Sequence, residues 1–245
     1  MGHGSQKAAL PDNGGMPSSS ATSASTAFLP RVLLTGFDPF GDTGHSSLPL
    51  NPSWLAVKAL HGKRIAGHLV VAVQLPTVFQ ASIKELTRQL QLHKPALVIC
   101  VGQAGGRGAI SLERIAINVD DARIPDNAGG QPVDRPVVAG GPAAYFSSLP
   151  IKAMLQALQD AGVAVEVSQT AGTFVCNHVF YALMHALATR RGFKRTRGGF
   201  IHVPYLPEQG MPSMALEEIV RGLRLAVASA LATPQDIAKG AGAVS

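Results

Sequence analysis

Val163-Ala164-Val165-Glu166-Val167-Ser168, then Gly172-Thr173-Phe174-Val175-Cys176-Asn177-His178, then Gly199-Phe200-Ile201-His202-Val203, is the part of the chain whose reading decides the fold. It reads as strand, loop, helix, strand. After Cys176 apolar residues recur at Val179, Phe180, Leu183, Met184 and Leu187, the spacing of a buried helix face. The run ending at Val203 is closed by Pro204, which cannot donate to a strand ladder. The alternation continues outward. Strand-like runs are expected at 31–36, 69–75, 96–102, 110–119, 163–168 and 199–203. Helical patterns fall between and after them. One follows Asn51-Pro52, a capping residue and then proline at the first helical position. Others are expected at about 77–92, from 150 to just before Gly162, through Cys176, and at about 213–231. Strands alternating with helices argue an α/β layered fold with a mostly parallel central sheet. No repeat or linker interrupts residues 30–232, so a single α/β domain is expected over 28–245.

Composition narrows the class. The chain has 245 residues, 46% of them hydrophobic, which allows a sizeable core. Residues 1–27 are rich in Gly, Ser, Ala, Thr and Pro and read as a disordered leader or tag-like tail; the segment from Thr233 looks similarly loose. No apolar run approaches the ~20 residues of a membrane span, so no membrane partner is expected. Two cysteines give neither a disulfide framework nor a cysteine-rich zinc site, which fits a reducing cytoplasm. The net charge is +6, and Arg190, Arg191, Lys194, Arg195 and Arg197 lie within eight residues. They follow a helix C-terminus, where cations are favourable, and read as a solvated loop rather than a nucleic-acid interface.

In such sheets the site lies beyond the carboxyl ends of the strands. That points to Phe37-Asp38-Pro39-Phe40-Gly41, to the loop from Gly102 to Gly108, and to the segment after His202. The glycine loop has neither the Gly-Lys-Ser/Thr of a phosphate loop nor the spacing of a dinucleotide fingerprint. Cys176 at a helix start lies in the positive end of the macrodipole, which favours thiolate and lowers the pKa; the alternative is an inert buried cysteine. Cys100, in mid-strand, reads as core. His202, near a strand's carboxyl end, is a candidate base or a core histidine. Alternation along 110–119 puts Glu113 on the face of Ile115, Ile117 and Val119, where a carboxylate needs a partner. It either pairs with Arg114 or Arg123 or orients a catalytic histidine. His178 and His185 are seven apart, unlike a metal pair at i, i+4. Together Cys176, His202 and Glu113 supply a nucleophile, a base and an orienting group, with the Cys176 amide as oxyanion donor and no cofactor required.

The chain resembles the pyroglutamyl peptidase I, or pyrrolidone-carboxylate peptidase, family of cysteine peptidases. The resemblance is carried by residues 33–41, by Asn51-Pro52-Ser53-Trp54, and by 101–107, 113–118, 121–127, 170–177 and 199–209, in order along the chain. It implies a three-layer α/β/α sandwich, a homotetramer, and removal of an N-terminal pyroglutamyl residue from peptides through a thioester. It implies Cys176 as nucleophile, His202 as base and Glu113 as third member. Arg123 would lie near the oxyanion. Phe37 and Phe40 would enclose the pyrrolidone ring, with Asn51, Gln103 and Val175 lining the pocket. The chain departs from the pattern in a few extra residues within Thr43 to Leu50, close to the pocket rim.

Pyroglutamate has no free amine, and its neutral lactam wants an apolar slot with a donor and an acceptor. Two phenylalanines and an amide would serve a non-catalytic module binding a lactam or nucleoside-like ring equally well. The presence of Cys176, His202 and Glu113 together argues against that alternative.

Overall fold

The computed structural model describes residues 1–4, 29–40 and 50–242. The expectations for the leader and for the extra residues before Asn51 lie, apart from 1–4 and Leu50, outside the described residues. The elements, in chain order, are β1 Arg31–Phe37, α1 Pro52–Leu60, β2 Arg64–Ile65, β3 His68–Leu75, α2 Ala81–His93, β4 Leu97–Gln103, β5 Ile110–Glu113, β6 Ile115–Ile117, β7 Ala144–Phe146, α3 Ile151–Asp160, β8 Val165–Ser168, α4 Val175–Thr189, β9 Arg197–Val203 and α5 Leu216–Ala232.

The main sheet runs β2-β3-β1-β4-β9-β5-β8. The pairs β3–β1, β1–β4, β4–β9 and β5–β8 are parallel, while β2–β3 and β9–β5 are antiparallel. Strand alternation sends Val32, Leu34, Ile99, Val101, Ile201 and Leu112 to one face. There they pack with α1, α3 and α5. Leu33, Phe37, Val98, Cys100 and Phe200 point to the other face, where α2 and α4 lie. Helices on both faces of the sheet make the expected sandwich. Among the described residues no helix is long and apolar enough to cross a membrane.

One expected strand is two. Residues 110–119 break at Arg114, whose N–H donates to Ser168 O while its carbonyl accepts from Ser147 N–H. β6 leaves the main sheet and pairs antiparallel with β7. The side chain of Asn177 then takes the N–H of Ile117 and the carbonyls of Ile117 and Val119, so no main-sheet partner is needed there. Glu113 and Ile115 therefore belong to different sheets, and the shared face read from alternation does not exist. The start of α2 also moves, to Ala81, because Gln80 holds φ at +59°, outside the right-handed helical region. The segment after Thr233 is irregular but held. Asp236 accepts from the N–H groups of Lys152 and Ala153 at the amino end of α3, and Lys152 Nζ donates to Lys239 O.

α4 lies along β4 and β9 in a fixed register. A Cβ added at Gly198 would meet Leu187 and Leu183; one at Gly102 would meet Cys176 Sγ at 2.7 Å and Phe200 at 2.8 Å. The helix thus starts over the carboxyl end of the sheet and descends toward its amino edge.

Candidate active site

Cys176 is the second residue of α4, and Val175 the buried first. The helix has no side-chain cap at Phe174, and its first carbonyl bond runs from His178 N–H to Phe174 O. The amides of Val175, Cys176 and Asn177 therefore have no intrahelical acceptor. Among the described residues no side chain caps this positive end of α4, where the thiol sits.

Gly102 and His202 are register partners on adjacent parallel strands, so their side-chain directions share a face. Sγ occupies the space that a Gly102 side chain would fill. Strands are about 4.8 Å apart, so Sγ over Gly102 and the His202 ring stand on the same face of neighbouring strands. The glycine is required here by close approach, not by backbone angle.

His202 is 4% exposed and Glu113 fully buried. His202 Nδ1 lies 2.7 Å from Glu113 Oε1. Arg107 Nη1, which can only donate, reaches the same oxygen at 2.8 Å. Oε1 is thus an acceptor, Nδ1 carries the ring proton, and Nε2 keeps its lone pair. Glu113 Oε2 has no partner among the described residues. Arg107 is held by Thr170 O and Ser168 Oγ on the loop leading into α4. The ion pair of Glu113 is therefore with Arg107, not with Arg114 or Arg123. Arg107 sits in the glycine loop, and a lone cation at the carboxyl end of a strand is its only signal in the sequence.

The thiol differs from expectation. Cys176 is half-buried, and desolvation of its sulfur pushes the pKa up to about 12. The Glu113 carboxylate raises it further, Arg107 lowers it, and Cys100 adds a small rise. With burial the leading cause, the resting group is a neutral thiol that needs a base. Below its pKa the reactive thiolate fraction grows tenfold per pH unit. Alkylation of Cys176 by iodoacetamide is expected to rise about 10³-fold from pH 6 to 9 without levelling. A plateau below pH 8 would show a preformed thiolate–imidazolium pair instead. Cys100, buried and also pushed up to about 12, should stay unlabelled.

The expected pocket residues sit at the same edge in different roles. Phe37 is buried on the α4 face, its ring 6.4 Å from Phe200. Phe40 is half-buried and 5.8 Å from Phe174, a ring that sequence reasoning missed. Asn51 caps α1: its Oδ1 accepts from Ser53 N–H and Oγ–H, and its Nδ2 donates to Asp38 O. Ser53 Oγ in turn accepts from Phe37 N–H, which anchors the Phe37–Phe40 turn. Gln103 Oε1 accepts from Gln209 Nε2. Gln103 lies on the strand face opposite Gly102, toward α1. Arg123 is exposed. Its loop is tied to the start of α4, because Asp121 N–H donates to Thr173 O and Thr173 Oγ1 to Asp121 O.

The family model for pyroglutamyl peptidase matches residues 30–233. The chain belongs to the pyroglutamyl peptidase family. It is 59% identical over 219 residues to a pyrrolidone-carboxylate peptidase of Cupriavidus taiwanensis, covering 87% of this chain and 99% of the relative. The pyrrolidone-carboxylate peptidase of Bacillus cytotoxicus is 52% identical over 216 residues, 86% of this chain and 97% of the relative. Among solved structures, pyroglutamyl peptidase I from Bacillus amyloliquefaciens superposes with a TM-score of 0.82 at 46% identity. That match covers 87% of this chain and all of the other. A mutant pyrrolidone carboxyl peptidase from Pyrococcus furiosus gives 0.77 at 42% identity, covering 82% and 98%. The likeness to pyroglutamyl peptidases thus spans both sequence and fold.

Proposed function

We propose that this chain is a cysteine peptidase that removes an N-terminal pyroglutamyl residue from peptides, with Cys176, His202 and Glu113 as its catalytic set. The observation that carries the reading is the histidine aligned by a buried carboxylate, next to a thiol seated over Gly102 at the bare start of a helix. As the thiol gives its proton to His202 Nε2, Sγ attacks the pyroglutamyl carbonyl carbon. The oxyanion forms at the open amides of α4, where Cys176 N–H is the natural donor and Arg123, on the adjacent loop, is the proposed cation. His202 then returns the proton to the leaving amine, which departs as the shortened peptide. A water, deprotonated by His202, splits the thioester and frees pyroglutamate and the thiol. No cofactor enters these steps.

Phe37, Phe40 and Val175 form the proposed apolar slot for the lactam. Asn51 and Gln103 shape its rim through the turn and loop they hold. A prolyl amide has the ring but lacks the lactam carbonyl and carries a cationic amine. A site that bonds that carbonyl is expected to prefer the pyroglutamyl amide by about 10³-fold or more in kcat/KM. Phe40→Ala should lose about 1–3 kcal/mol of transition-state binding. Chromogenic amides of both residues are the measurement, and comparable turnover of the two by the native chain would overturn the lactam assignment.

The same reading makes residues 28–245 one peptidase domain, located in the cytoplasm, where its two free thiols stay reduced. A homotetramer is the proposed assembly. Ile124, Val133 and Phe146, large apolar side chains left on the surface, support burial against other copies.

A further inference from the structure

Three residues at the start of α4 grip one short stretch of chain. Thr173 exchanges two hydrogen bonds with Asp121. Asn177 makes three with Ile117 and Val119, accepting from Ile117 N–H and donating to both carbonyls. His178 Nδ1 lies 2.8 Å from Asp120 Oδ2. Cys176 lies within this grip, and its side chain turns the other way, to Gly102.

The Asp120–His178 pair is buried, with exposures of 4% and 0%. His178 Nε2 accepts the N–H of Gln80 at 3.0 Å, so the ring proton sits on Nδ1 and is donated to Asp120. Gln80 holds φ at +59°, a region that non-glycine residues rarely adopt. The imidazole therefore locks the turn before α2 as well. The other Asp120 oxygen has no partner among the described residues, which leaves His178 as the side chain that fixes the carboxylate. The ring of Phe79 stands edge-on to His178 at 5.1 Å and to Phe174 at 5.5 Å, and Phe174 meets Phe40. The pair thus joins the nucleophile's turn, the loop before α2 and the loop carrying Arg123.

We infer that Asp120 and His178 form a positioning pair for the reaction, holding the first turn of α4 so that Sγ faces His202 and the helix amides face the oxyanion. This rests on Cys176 being the nucleophile. A displacement of about 1 Å at reacting atoms can cost about 10²-fold, and it would fall on kcat rather than on substrate capture.

The test compares Asp120→Ala, Asp120→Asn and His178→Asn in the full chain, with kcat, KM and melting temperature measured on folded protein. Asp120→Ala is expected to lower kcat about 10–100-fold with KM within about threefold. Asp120→Asn, whose amide oxygen still accepts from Nδ1, should recover most of the loss. His178→Asn keeps a donor near the Nδ1 position for Asp120 but is too short to offer an acceptor at the Nε2 position to Gln80, and should also lose kcat with KM unchanged. If Asp120→Ala does not fold, His178→Asn decides in the same terms. A lowered melting temperature with normal kcat in the folded variants would overturn positioning and leave only a stabilising pair. Cys176→Ala run alongside separates the two failures: retained turnover there removes the nucleophile and this inference together, whereas lost turnover there with normal kcat in the pair variants overturns the pair alone.

Discussion

Cys176→Ala is expected to lower kcat for a pyroglutamyl amide by about 10⁵-fold or more, since removal of the nucleophile in comparable triads costs about 10⁶. Alanine leaves His202 aligned and the α4 amides open, so residual hydrolysis would come only from water activated at a site built for sulfur. The fold should survive. The sulfur lies in the gap above Gly102, and losing one atom there leaves a small cavity costing about 1 kcal/mol. Cys100→Ala is the internal control. Its side chain is fully buried in the core beneath α4, so it should lose stability of similar size and keep kcat. Mass spectrometry of the quenched native reaction should find the acyl group on the peptide containing Cys176 and nowhere in the variant. Normal turnover by Cys176→Ala, or an acyl group on another residue, would sink the proposed mechanism.

Much of this site was legible in the sequence, for reasons that differ from residue to residue. The buried strands announce themselves as apolar runs, and Asn51-Pro52 marks the start of α1 because capping chemistry is local. Cys176, His202 and Glu113 stood out as chemistry-bearing residues at element ends or on an apolar strand. What failed was non-local. The break at Arg114 is set by β7 and by Asn177, some sixty residues away, and β-propensity is alike on both sides of it. The thiol's pKa was read from the helix end alone, whereas its largest cause is burial by chain far from Cys176 in sequence. The pairing of Arg107 with Glu113 and of Asp120 with His178 was not legible, because those partners are set by folding, not by spacing.

His202→Ala is expected to cost about 10⁴-fold or more in kcat/KM at neutral pH, and more than any change at Glu113. Burial pushes the thiol up to about 12, and solvent hydroxide is then the base, so the variant's activity should rise about tenfold per pH unit. Glu113→Gln is a subtler change. In triads generally, replacing the orienting carboxylate by an amide costs about 10⁴ because the amide can favour the wrong imidazole tautomer. Here one oxygen, Oε1, serves both His202 and Arg107, and Arg107 can only donate. Arg107 should therefore keep the glutamine oxygen turned toward Nδ1, with the NH₂ group placed where Oε2 now lacks a partner among the described residues. The loss should then reflect missing charge more than a wrong tautomer, in the lower part of a range of about 10²–10⁴. Arg107→Met alone should cost about tenfold or less, because the carboxylate accepts from Nδ1 whichever oxygen it offers. Added to Glu113→Gln, the same change frees the amide to flip, so the double variant should lose more than the product of the two single losses. Kinetics of the four enzymes give that comparison directly. Strict additivity would mean that Arg107 does not orient residue 113, and an unaffected Glu113→Gln enzyme would return Glu113 to a purely structural ion pair.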